Sequence, residues 1–375
     1  MAALDPLRTR AGFPKSKTRS SWLMRSILLA ALALFMFVGQ STSQERTNEE
    51  RRSVRTWLDP DLGQALIEGV GTPQHLWIRG ASKKVVRFNR ETGERSVAAE
   101  DVIDILADGP HLWALIALNE NESVVRDLRQ PDVAARRIYF EGSPIALFAT
   151  DAGPGVLTTT RVMLPTPNGW SRRLIAGSLD PYAQVSSLTG DALFVGYNKG
   201  EWGGGLRRVD LSTGTVSFVR EPGDDTCEGR LNPECAPIVG IVSDHQREEC
   251  VLVGASLAHM SGRYGEVLRV CGSVITPVFA DPLPVIPNSI EFRPGQTWPF
   301  DSLVVVNEGW VAVGQDRFAQ STNGVVTMRD MPSLQAWSGL QVSDEIDDVI
   351  FVEGACCWGS ENFVRYRVIA IPVGD

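Results

Sequence analysis

The densest chemistry in the chain lies at Asn198-Lys199-Gly200-Glu201-Trp202-Gly203-Gly204-Gly205, with Arg207 and Arg208 close behind. Three successive glycines let a backbone approach another group closely or adopt positive φ. Trp202 adds a flat apolar surface, and Asn198, Glu201 and Arg207 add hydrogen-bonding groups. Together these residue types suit recognition of a polar ligand or a peptide. The alternative is a wide hairpin whose Trp packs on a neighbouring sheet. A phosphate loop is excluded, because no Gly-Lys-Ser/Thr follows and no helix begins there.

Three other clusters carry chemistry-bearing side chains. His75 and His111 each stand directly before Leu-Trp, at matching places in successive units. A catalytic or metal-binding pair would require the two to converge, whereas equivalence in a repeat favours a structural role. Asp344-Glu345-Ile346-Asp347-Asp348 is an acidic run before a strand. Calcium is the one ion this leaves open; the regular Asp-x-Asp-x-Asp-Gly loop is missing, and a solvated turn is the simpler reading. Trp358, after Cys356-Cys357, completes the set of ligand-binding candidates. No Gly-x-Ser-x-Gly elbow, His-Glu-x-x-His or nucleotide fingerprint is present. The sequence therefore leans away from catalysis, and no cofactor is expected.

All six cysteines lie in the C-terminal half. An even count in an exported chain suggests disulfides. Cys227 and Cys235 bracket a loop with Gly and Asn-Pro that brings its ends together. Cys250 opens one strand and Cys271 closes another, which a hairpin would set side by side. Cys356 and Cys357 remain for a vicinal ring. Zinc is disfavoured by the lack of a Cys-x₂-Cys pair and by only four histidines.

Export is itself read from the N-terminus. Arg8, Arg10, Lys15, Lys17, Arg19 and Arg25 precede an apolar run from Ile27 to Val38, and Ser41-Thr42-Ser43 follows. Basic, apolar, then small is the order of a signal peptide; an uncleaved anchor is the alternative. Residues 1–44 are assigned to this segment, 45–59 to a charged lead-in, and 60–375 to the folded domain. The whole chain carries a formal charge of −9, and the basic N-terminus makes the rest more acidic still. That sign argues against nucleic acid as a partner, and against a membrane beyond the N-terminal segment. A periplasmic or secreted monomer is expected.

The elements that must position these residues are strands. Arg87-Phe88-Asn89-Arg90-Glu91-Thr92-Gly93 and Arg208-Val209-Asp210-Leu211-Ser212-Thr213-Gly214 share one pattern. In each, Asn or Asp bonds turn amides and Gly takes the positive-φ position between two antiparallel strands. Apolar strands recur near 76–78, 112–115, 146–149, 193–196, 250–254, 310–314 and 349–352, at the spacing of propeller blades. A short helix is expected over 61–68, and another near 333–337. These units resemble the secreted bacterial β-propellers of the YVTN, quinoprotein and WD40-like class. The resemblance implies an all-β propeller, most simply of seven blades, with tandem β-sandwiches as the alternative. It implies a scaffold or sensor that binds a protein or small ligand; a propeller enzyme is the second reading. Cys356-Cys357-Trp358 also resembles the vicinal disulfide over the cofactor of some quinoprotein dehydrogenases, without their repeat or calcium ligands.

Overall fold

The computed structural model describes residues 66–177, 179–181, 183, 185–223, 227–259, 262–285, 295–306, 309–314, 317–330, 340–342, 348–354 and 366–372. The expected signal segment and lead-in, the acidic run at 344–348 up to Asp347, the candidate helix at 333–337, Cys356, Cys357 and Trp358 lie outside these residues.

The described chain is a β-propeller of antiparallel four-stranded meanders. Blade 1 comprises β1 (Leu66–Gly71), β2 (His75–Gly80), β3 (Val85–Asn89) and β4 (Arg95–Ala99). Blade 2 comprises β5 (Val102–Asp108), β6 (His111–Asn119), β7 (Glu122–Asp127) and β8 (Arg136–Tyr139). Blade 3 holds β9 (Pro144–Phe148), β10 (Gly155–Thr158), β11 (Arg161–Thr166) and β12 (Gly169–Leu174). Blade 4 holds β13 (Val185–Thr189), β14 (Ala192–Asn198), β15 (Gly204–Asp210) and β16 (Val216–Val219). Blade 5 holds β17 (Ile238–Ser243), β18 (Val251–His259), β19 (Gly262–Cys271) and β20 (Val274–Phe279). Blade 6 holds β21 (Ser302–Val306), β22 (Gly309–Val313), β23 (Arg317–Thr322) and β24 (Val325–Asp330).

The expectation of seven blades is corrected: six blades have four strands. The strand near 349–352 belongs to a smaller sheet of three, β25 (Leu340–Val342), β26 (Asp348–Gly354) and β27 (Tyr366–Pro372). Its first strand touches β21 and β1. An apolar run identifies a buried strand but not how many neighbours pair with it, so the count overshot. The tandem-sandwich alternative is also set aside. Successive meanders meet through their first strands, β5 with β9, β9 with β13, β13 with β17 and β17 with β21. Of the expected helix at 61–68, residues 66–68 belong to β1, and 61–65 lie outside the described residues.

Blade order explains where apolar residues are needed. Second strands are sandwiched between neighbouring blades on both faces, so β14 is buried from Ala192 to Tyr197. Fourth strands face solvent, and β4, β12 and β24 are largely exposed. The core is accordingly a set of layers between blades. Val70, Trp77 and Val85 of blade 1 pack on Val102, Ile105, Leu112 and Ala114 of blade 2. Trp113, Leu115 and Val125 of blade 2 pack on Leu147, Val156 and Met163 of blade 3.

The alternating strand directions create two ends. One end, called the turn face below, carries the connections between first and second strands and between third and fourth strands. The opposite loop face carries the second-to-third and blade-to-blade connections. The two Thr-Gly turns are third-to-fourth connections on the turn face. Asn89 Oδ1 accepts from the amides of Glu91 and Thr92, each at 2.9 Å. Asp210 Oδ1 accepts from those of Ser212 and Thr213 at the same distance. Gly93 and Gly214 close the turns at φ 72° and 75°. Hydrogen bonds from the Ser212 hydroxyl and the Thr213 amide favour the ionised form and bring the Asp210 carboxyl down to about 2.

Two disulfides join cysteines as the loop geometry predicts. Cys227–Cys235 lies on the loop face and Cys250–Cys271 on the turn face, with Cα separations of 5.2 and 4.4 Å.

Candidate functional site

The Asn198–Gly205 loop is a rigid connector on the loop face. Asn198 Oδ1 accepts from the Gly200 amide at 2.9 Å, and the turn Gly200–Trp202 follows. Lys199 Nζ pairs with Asp180 Oδ2 at 2.6 Å. The three glycines are explained by the disulfide-closed loop that lies against them. Gly204 and Gly205 donate their amides to the carbonyls of Pro233 and Ala236, both at 2.8 Å. A Cβ on Gly203 would stand 2.2 Å from the Glu234 carbonyl carbon, and one on Gly205 2.7 Å from Pro233 Cα. Gly203→Ala combines this clash with φ 76° and is expected to cost about 3 kcal/mol. Gly200→Ala, at φ 61° with open space around it, should cost about 1 kcal/mol. Thermal denaturation of the two variants reads the difference; equal losses would contradict the packing role.

Few side chains of this loop are left to meet a ligand. The Arg207 guanidinium sits 3.6 Å over the Phe218 ring and 5.3 Å from that of Tyr197, and donates to the Gly204 carbonyl at 3.2 Å. Burial pushes the Tyr197 phenol up to about 12, against the opposing pull of Arg207. Glu201 is exposed, and Trp202 is 75% exposed. The structure thus brings Asn198, Glu201, Trp202 and Arg207 onto one segment of the loop face.

Among the described residues two concave sites lie on the turn face, between blades. The larger is a groove of about 1090 Å³ spanning blades 2, 3 and 4. Asp108, His111 and Trp113 form one wall and Thr150, Asp151 and Gly153 another, while Leu164, Leu188 and Leu211 line it with apolar surface. The His111 Nδ1–H donates to Asp127 Oδ2 at 2.7 Å. Asp127 is 1% exposed, and its other oxygen accepts from the amides of Leu112 and Arg129 at 3.2 and 2.9 Å. The His111 ring stacks on Trp113, centroids 5.1 Å apart. The smaller cleft, about 630 Å³, lies between blades 1 and 2 and holds His75, Trp77, Arg87 and Arg129. His75 and His111 therefore occupy separate clefts and do not form a pair.

The clefts are one design with one charge reversed. Trp77 and Trp113 sit at the same place in β2 and β6. The cross-strand partner of Trp77 is Arg87, and that of Trp113 is Asp127. Arg87 lies over the Trp77 ring at 5.6 Å. Burial, then Arg87, push the His75 imidazole below its usual value. Both indoles are buried, and neither Nε1–H has an acceptor among the described residues. Sequence reading missed Arg87, Asp127 and Arg129. The hairpin after Trp113 is longer than the one after Trp77, so the partners fall at different spacings and only strand register aligns them.

A third cluster joins blades 1 and 2 near the loop face. Glu68 and Asp104 are equivalent residues directly after a bulge in β1 and β5. Each accepts an amide of the next blade's first strand: Glu68 from Ile105 at 3.3 Å, Asp104 from Leu147 at 2.7 Å. Arg79 bonds Glu68 at 2.9 Å and lies 3.7 Å from Asp104. Burial, then the Glu68 charge, hold the Asp104 carboxyl well above its usual value despite Arg79. Burial alone would lower the Arg79 guanidinium, but the two carboxylates outweigh it and raise it. Among the described residues no group of three His, Cys, Asp or Glu side chains is placed to hold a metal ion. Nor is any described helix long and apolar enough to cross a membrane.

The sequence matches no protein-family model and no curated protein. Solved structures share its fold. The WD40 domain of Neurospora crassa Pan2 is 11% identical, with a TM-score of 0.53 over 86% of this chain and 98% of that one. A chain of the mitotic checkpoint complex is 10% identical, with a TM-score of 0.52 over 97% and 98%. The extracellular domain assigned to a one component system of B. thetaiotaomicron is 11% identical, with a TM-score of 0.50. The match covers 84% of this chain and only 40% of that one. At such identities the likeness is one of fold.

Proposed function

We propose that the protein is an exported propeller scaffold that binds an extended peptide segment in the groove across blades 2, 3 and 4. The observation that carries this reading is the groove itself: about 1090 Å³, running across three blades, with Leu164, Leu188 and Leu211 as apolar lining. Asp108, Asp151 and Arg136 at the walls suit the amides, carbonyls and charged side chains of a peptide. Propellers host many functions, so the site rather than the fold supports the reading. The two disulfides suit an oxidising compartment outside the cytoplasm.

A peptide selected from a random display library on the full chain tests it. Ala152→Trp would fill the groove from an exposed position, and is expected to weaken binding by about tenfold or more. Trp202→Ala, on the opposite face, should leave binding unchanged. Loss with Trp202→Ala alone would move the site to the loop face, and enrichment of no binder would remove the peptide reading.

One observation favours hydrolysis as a second reading. His111 is oriented by a buried carboxylate, the arrangement of a general base. The groove lining, however, offers no Ser or Cys, and the Thr150 hydroxyl is engaged at 2.6 Å with the Gly153 carbonyl.

A further inference from the structure

We infer that the cleft between blades 1 and 2 is a carboxylate-binding site for a molecule whose carboxylate adjoins an apolar group. The site is separate from the groove, and the inference does not depend on the peptide reading.

The lining is Thr72, Gln74, His75, Trp77, Arg87, Gly109, Pro110, Leu128, Arg129 and Pro131, with two arginines and no acid. That is notable on a chain of net charge −9. A solvated surface on such a chain would be expected to set acids beside its arginines, as it does at Arg137 with Glu122 and Arg161 with Glu141. Arg87 has no carboxylate partner among the described residues; its guanidinium rests over the Trp77 ring instead. Arg129 is oriented by its bond to the Gly109 carbonyl at 3.2 Å.

The Trp77 indole is 3% exposed and its N–H has no acceptor among the described residues. Leaving such a donor unmet costs on the order of 1–3 kcal/mol. Burial and Arg87 push the His75 imidazole below its usual value, which favours its neutral, hydrogen-bonding form. One anionic group fits this set, its planar fork matching the guanidinium and its oxygens accepting from the imidazole N–H. Trp77, Leu128, Pro110 and Pro131 supply walls for an apolar portion. At about 630 Å³ the cleft has room for a group the size of a phenyl or leucyl side chain.

Blade 2 sets Asp127 where blade 1 sets Arg87, each opposite the equivalent Trp. Asp127 satisfies its own histidine internally. Arg87 leaves the equivalent positive site open, so the two clefts select opposite chemistry from the same scaffold position.

A free organic acid and the C-terminus of a peptide present the same group, and the test separates them. The ¹⁵N-labelled full chain is titrated with phenylacetate and phenylacetamide, and with a tetrapeptide ending in Leu as free acid and as amide. The Trp77 indole N–H resonance is followed, with the Trp113 resonance as reference for the other cleft. Each acid should shift the Trp77 resonance saturably, and each amide should bind at least about tenfold more weakly. Arg87→Gln, at an exposed position outside the core, should weaken acid binding by about tenfold or more and reduce its salt dependence. Tighter binding of the peptide acid than of phenylacetate would assign the source to a chain terminus, and the reverse to a free acid. Calorimetric titration of the same probes provides the reading if assignment through Trp77→Phe perturbs the fold. Equal response to acid and amide, no saturable shift by about 10 mM, or undiminished binding in Arg87→Gln would overturn the proposal. A shift of Trp113 but not Trp77 would overturn it while leaving the peptide groove standing.

Discussion

Arg79→Met is expected to destabilise the propeller by about 3 kcal/mol near pH 7, because it leaves two largely buried carboxylates without their cation. Glu68 and Asp104 tie the first strands of blades 1, 2 and 3 through backbone amides, so the loss falls on the blade junctions. Denaturant titration at several pH values measures it. The deficit should shrink as pH falls, since carboxylates that lose Arg79 take up protons within the folded state. The sign for the wild-type chain follows from Asp104, whose folded value is raised above the usual 3.8. A raised carboxyl contributes stability that is complete below 3.8 and is lost as pH rises through the folded value. Asp104→Asn removes that titration and keeps an acceptor for the Leu147 amide. Its stability relative to wild type should therefore improve as pH rises from about 4 to 8. An Arg79→Met deficit constant over that range would show that the cluster is not electrostatically coupled.

The second large effect concerns the turn-face disulfide. Cys250 and Cys271 close a loop with a sequence separation of 21 between the ends of β18 and β19. Chain-entropy arguments give about 3 kcal/mol for such a loop. Alanine is the appropriate replacement for both residues, because Cys250 is fully buried and a polar substitute would add its own desolvation cost. Cys250→Ala/Cys271→Ala should lower the denaturation midpoint accordingly, and strong reductant should do the same to wild type. Thiol counting on the native protein provides the complementary check. Reactive Cys250 and Cys271, or a double variant as stable as wild type, would refute the bond.

The legible parts of this protein were those written in local patterns. Asn89 to Gly93 and Asp210 to Gly214 need only short-range hydrogen bonds and one positive-φ glycine each, so their turns could be read directly. Apolar runs such as Leu112–Leu115 and Leu193–Gly196 marked buried second strands because both their faces are covered. One run was placed a strand out: Ala146-Leu147-Phe148 lies in the first strand of blade 3, where a buried junction makes first and second strands read alike. The short Glu68 stretch had read as helix, since a carboxylate and mixed apolar residues do not announce a strand whose acid will find an arginine and a neighbouring blade's amide.

The candidate site was legible only in part. The glycines at 203–205 were visible, but what approaches them is the Pro233–Ala236 backbone rather than a ligand. Arg207 was visible as a cation, but Phe218 and Tyr197 occupy its guanidinium. The sequence by itself determined an all-β repeat, its turns and the pairing of four cysteines, set by neighbours close along the chain, and through composition a net negative charge. Only the tertiary structure decided six four-stranded blades and the opposed charges of Arg87 and Asp127. Strand register and blade-to-blade packing bring together residues whose separations differ from one blade to the next, and no fixed spacing records that.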